Sequence, residues 1–95
     1  MSDKETRDQL QAELTRVRDE ADAVLEITKL EALRDVVRHS MRDVIEASEW
    51  LSTARQLGEA GALRLARISL TAASERLEYV RQLHETYGPG VMFHR

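Results

Sequence analysis

Apolar residues return along this chain every three or four positions, and nowhere does apolar-polar alternation persist long enough to outline a strand. Neither glycine nor proline interrupts residues 1–57, and β-branched residues never cluster, so local propensity favours helix throughout that stretch. Punctuation comes late: Gly58-Glu59-Ala60-Gly61 marks a turn, and Gly88-Pro89-Gly90 stops whatever precedes it. Between them the pattern predicts a helix from about Glu59 to Thr86. A helix of equal length, from about Lys29 to Leu57, precedes the turn, and two matched helices joined this way fold into an antiparallel hairpin.

The first 28 residues carry their own start signals, because Ser2 with Glu5 and Thr6 with Gln9 both fit a capping box. Leu10, Leu14, Val17, Ala21 and Val24 then follow at four-three-four-three spacing, a narrow coiled-coil-like seam that suits one main partner helix. Two readings of its end are open. Thr28 and Glu31 form a further capping box with apolar Ile27 just ahead of it, which favours a break. A stripe nevertheless runs unbroken through Leu25, Thr28, Ala32, Val36, His39, Asp43, Ala47, Trp50, Ala54 and Leu57, which allows one rod of about fifty residues. The break closes a three-helix bundle and the rod projects a coiled-coil arm. We adopt the break, with helices at about 3–27, 29–57 and 59–86.

The two later helices each carry more than one apolar row. Beside the stripe above, the middle helix has Leu33, Val37, Ser40, Val44, Ser48 and Leu51, with Met41 alongside. The last helix keeps heptad spacing through Leu63, Ala66, Leu70, Ala73, Leu77, Val80, His84 and Tyr87, and adds a second row at Leu65, Ile68, Ala72, Tyr79 and Leu83. A lone hairpin cannot bury both rows of both helices. A third helix, a second chain, or both must cover them. The expected fold is therefore all-α, a three-helix bundle made of a helical hairpin plus the N-terminal coiled-coil-like helix, oligomerising, with a dimer favoured.

Ninety-five residues suffice for a single domain, expected over 1–87, with an apolar tail over 88–95. The core leans on Ala, Leu and Val, with four aromatics in the whole chain, so burial against a partner would add to a modest interior. The absence of cysteine excludes disulfides, thiolate metal sites and cysteine nucleophiles, and makes the cytoplasm the default compartment. No window approaches the roughly 18 apolar residues of a membrane span, so no membrane partner is expected. A net charge of -3 with 33% charged residues describes a mixed, solvated surface and disfavours phosphate-backbone binding. Residues 1–31 hold nine acids against five bases, whereas 32–95 hold eight against nine, so the first helix can lie electrostatically against the rest.

Two short patterns resemble known families. Trp50, Ala54, Leu57, Gly61, Leu63, Ala66, Leu70 and Ala73 resemble one tetratricopeptide unit, departing from it where Thr53-Ala54 replaces Leu-Gly and Glu78 replaces the terminal proline. Arg34 and His39, with four residues between, resemble the Arg-to-His signature of HEPN ribonucleases; the resemblance implies His39 as acid or base and Arg34 steadying phosphate charge in a dimeric RNA-cleaving domain. Folding the hairpin brings His84 toward Asp35 and His39, a permissive metal set, although no Glu-x-x-His pair occurs. Arg34, Arg38 and Arg42 form a ladder that could meet phosphates, diluted by Glu31, Asp35, Glu46 and Glu49.

None of these patterns assembles a reaction, so the expected function is a non-enzymatic, self-associating protein interaction or adaptor module, a regulator or inhibitor of a partner protein among its expected roles, without cofactor or metal. A small HEPN-like ribonuclease using Arg34 and His39 is one alternative, and a nucleic-acid-binding regulator is the other. The expected contact residues are Leu10, Leu14, Val17 and Ala21 on the first seam, with Trp50, Tyr79, Met92 and Phe93 as hot spots; docking of the tail through Val91-Met92-Phe93 follows from its apolarity.

Overall fold

A computed structural model describes residues 3–58 and 60–88. Three helices, α1 (Asp3–Ile27), α2 (Glu31–Leu57) and α3 (Ala60–Tyr87), account for nearly all of them, with no strand among the described residues. Each helix packs on both others, and the α2/α3 contact is the most extensive. The body is elongated, 53 × 19 × 16 Å. The chain is thus an all-α three-helix bundle, and the rod is not formed. No described helix is long and apolar enough to cross a membrane.

The interior is built from one row per helix. Leu10, Leu14, Val17, Ala21 and Val24 of α1 meet Val37, Val44, Ala47 and Leu51 of α2 and the heptad row of α3 from Leu63 to Val80. Ala21, Ala47, Ala66 and Ala73 are completely buried, and such small side chains let helix backbones approach closely while the Leu and Val side chains fill the gaps around them. Three polar links fix how α2 lies on α3. The buried Ser40 hydroxyl donates to the Ala73 carbonyl at 3.1 Å, the Ser69 hydroxyl donates to the Glu46 carboxylate at 2.8 Å, and Arg76 pairs with Asp43. Slipping the hairpin by a turn would break all three and leave Ser40 buried without its acceptor. Arg81 of α3 reaches across to Glu20 of α1, which also holds Arg16 at 3.2 Å.

The elbow between α1 and α2 is where the sequence expectation needs correcting. The break falls where it was expected, but the Thr28–Glu31 capping box does not form. The residue that caps α2 is Leu30, in extended conformation and with no side-chain cap bond. Thr28 is instead the continuation of α1: its hydroxyl donates to the Val24 carbonyl one turn back at 2.5 Å and lies 3.2 Å from His84 Nε2. Since the hydroxyl proton is used on Val24, the His84 Nε2–H is the donor in that second contact. Glu31 turns to Arg38 and Arg34.

Helix α1 ends with no basic residue in its last turn, so its terminal carbonyls lack a counter-charge of their own. Arg34 supplies one from α2, donating to the carbonyls of Leu25 at 2.9 Å and Thr28 at 3.0 Å. A cation from the next helix therefore does what a glycine cap does elsewhere in the chain. That simpler device closes α2, where Gly58 sits at φ 63 and its N–H bonds the Ala54 carbonyl at 2.9 Å. A Cβ at Gly58 meets nothing within 4 Å, so Gly58→Ala is expected to cost only the left-handed backbone penalty, about 1 kcal/mol. Urea denaturation of the two proteins measures it, with an unchanged slope if the fold is intact.

Candidate functional site

Of the two rows on α3, the intramolecular core takes only one. The heptad row is buried from Leu63 to His84, whereas Leu65, Ile68 and Tyr79 of the second row are 40%, 58% and 55% exposed. Ala72 between them and Leu83 one turn beyond Tyr79 are half-buried. On α2 the row Leu33, Val37, Ser40, Val44 and Leu51 goes inward, apart from exposed Ser48, while Val36 and Trp50 rest half-buried against the edge of the core. The uncovered rows lie along the α2/α3 flank that the interhelical pairs Asp43–Arg76 and Glu46–Ser69 cross.

This flank holds a shallow hollow of about 380 Å³ lined by Val36, His39, Ala72, Glu75, Arg76 and Tyr79. The register set by the polar links puts position 36 level with 79 and position 50 level with 65. Each end of the flank thus has a large apolar pair, Val36 with Tyr79 and Trp50 with Leu65, and the middle has small Ala72 beside the neutralised Asp43–Arg76 pair. From Leu65 to Tyr79 the row is about 21 Å long at the rise of an α-helix. An exposed Ile45, with Met41 and Val44, forms a smaller pit between α1 and α2 that Arg18 and Asp22 border; it is a spot rather than a row.

The contact residues expected from sequence divide into three groups. Leu10, Leu14, Val17 and Ala21 are 3%, 4%, 0% and 0% exposed and face the chain's own α2 and α3, so in the folded chain this seam is occupied from within and offers no surface to a partner. Trp50 and Tyr79 lie on the open flank. Met92 and Phe93, and with them the expected docking of the tail, fall outside the described residues, as does Ser2 of the first capping box. Leu65, Ile68, Ala72 and Val36 were legible as rows, but nothing in their spacing marked them as the uncovered ones.

The candidate chemistries are not assembled within one chain. Arg34 and His39 lie five positions apart, about 140° around the α2 axis, so one serves the α1 elbow and the other opens onto the α2/α3 flank. Arg38 is held by Glu31 at 2.7 Å and Asp35 at 2.6 Å, and its guanidinium is pushed above the usual range by its hydrogen bond to Glu31 first and to Asp35 next. Two of the three rungs of the arginine ladder are therefore engaged internally. His84 is buried beside Thr28, and no group of three metal-ligating side chains occurs among the described residues. The tetratricopeptide-like positions Ala54, Leu63, Ala66, Leu70 and Ala73 are buried, but α1 covers them and Leu57 is 75% exposed. His84 Nδ1 is buried and has no hydrogen-bond partner among the described residues.

Fold and flank together define a small three-helix bundle with an exposed apolar row on its α2/α3 side. No family model, no curated protein and no solved structure matches the chain.

Proposed function

We propose that this chain is a non-enzymatic interaction module of the cytoplasm that self-associates through its α2/α3 flank and serves as a regulator or adaptor. The observation that carries the reading is the exposed second row of α3, with Leu65, Ile68 and Tyr79 each at least two-fifths accessible along one side of the helix. Each apolar side chain exposed in this way loses free energy in water, at about 25 cal/mol per Å², until another molecule covers it. The side chains on it suit docking rather than turnover: a Trp, a Tyr, branched aliphatics and an alanine that admits a close backbone.

Sedimentation equilibrium tests the reading. The wild-type chain, 10.9 kDa as a monomer, is expected to sediment at twice that mass in the micromolar range. Ile68→Asp is expected to weaken association by about a hundredfold or more, since a carboxylate would be desolvated in the contact, while the circular dichroism of the variant stays helical. A wild-type chain that remains monomeric at high concentration, or an Ile68→Asp variant that associates as before, would overturn it.

A further inference from the structure

We infer that the occupant of the open flank is a second copy of the chain, laid back to back and antiparallel, with the twofold axis passing level with Ala72. The inference rests on the self-association proposed above and adds its direction and register. Three observations select this arrangement.

The first is the order of side chains along the row. Reversing α3 about Ala72 sets Leu65 of each copy against Tyr79 of the other and brings the two Ala72 methyls together at the centre, where a larger side chain would hold the helices apart. The second is that α2 obeys the same operation. Its half-buried apolar residues at the ends of the flank, Val36 and Trp50, are exchanged by a reversal about Asp43, the residue that Arg76 ties to the middle of α3. Both helices therefore place a large apolar pair at the ends and small or neutralised groups at one common level, and the same reversal sets Ile68 of each copy level with the neutralised Arg76–Asp43 pair of the other.

Charge supplies the third argument. Arg64 is exposed and Ala60–Ser74 contains no acid, whereas Glu75, Glu78 and Glu85 crowd the following turns; of the bases there, Arg76 is held by Asp43 and Arg81 by Glu20 and Glu78 of the same chain. An antiparallel pair brings Arg64 of each copy toward the acidic turns that begin at Glu75 of the other. A parallel pair would set Arg64 against Arg64 and Glu75 against Glu75.

Because the chain has no cysteine, single introduced thiols report the geometry directly. Ala72→Cys is expected to form a disulfide-linked dimer under mild oxidation, since only residues at the axis bring two copies of themselves within the roughly 4.4–6.8 Å Cα separation a disulfide needs. Leu65→Cys and Tyr79→Cys are each expected to stay unlinked alone and to link when mixed. Ile45→Cys, on the α1/α2 side, is the control and is expected to stay unlinked. Self-linking of Leu65→Cys and of Tyr79→Cys would show a parallel pair and overturn the inference while leaving self-association standing. A monomeric mass for the wild type, with no linkage at position 72, would overturn both and leave the flank to a different protein.

Discussion

Leu77→Ala is expected to destabilise the chain by about 3 kcal/mol, within the roughly 2–5 kcal/mol that buried Leu-to-Ala changes cost. Leu77 is the largest of the completely buried side chains and lies in the α3 row that both other helices cover. Its removal leaves a void that rigid neighbours such as Val17, Val37 and Val80, themselves fully buried, refill poorly. Total stabilities of domains this small sit near the low end of about 5–15 kcal/mol, so the change removes a large part of the margin. Urea denaturation read by circular dichroism measures it; a shift below about 1 kcal/mol would show that the row is not packed as described.

Arg34→Ala is the second large effect, expected at about 2 kcal/mol, because two charge-assisted hydrogen bonds to the carbonyls of Leu25 and Thr28 disappear together and α1 loses the cation bound at its C-terminal end. His39→Ala, on the exposed flank and away from these carbonyls, is expected to change stability by less than about 0.5 kcal/mol. The pair of variants separates the two residues that their spacing seemed to join. Equal losses in denaturant would contradict the assignment of Arg34 to the elbow.

Smaller pH effects concern the surface of α1. The Arg16 guanidinium, bonded to Glu13, holds that carboxyl below its ordinary range, so the pair's contribution is present at neutral pH and disappears as acid protonates Glu13. Both groups are largely exposed, and solvent screening keeps the contribution small.

Much of the architecture follows from short-range pattern. The hairpin turn follows from Gly58, the stop from Gly88, and the α1 seam from Leu10 to Val24, because helix periodicity and left-handed glycine caps are local properties. The elbow was legible only in its position. Its chemistry joins Arg34 to carbonyls six and nine residues back and Thr28 to a histidine 56 residues on, so a reading confined to neighbouring residues chose the capping box instead.

The candidate site was hidden for a related reason. Spacing gives the width of an apolar arc but not which chain covers it. Leu10, Leu14, Val17 and Ala21 read as surface for a partner, and Leu65 and Ile68 read as a surplus row, until the angle of the elbow decided that α1 folds back over one side of the hairpin. Trp50 and Tyr79 lie on the open side because large aromatics beside a heptad row sit at the edge of the core whichever helix covers it.

The elbow also decides whose hairpin the α1 seam fills. Residues 28–30 contain neither glycine nor proline, and α1 and α2 already share a continuous stripe, so straightening that segment requires no backbone conformation that its residues resist. A chain opened there would lay its α1 seam into the hairpin of a neighbour and regain the same core contacts between molecules, which is the route to domain exchange. Arg34 and the Thr28–His84 contact act as the latch against it, and loosening them would trade a closed protomer for an intertwined pair.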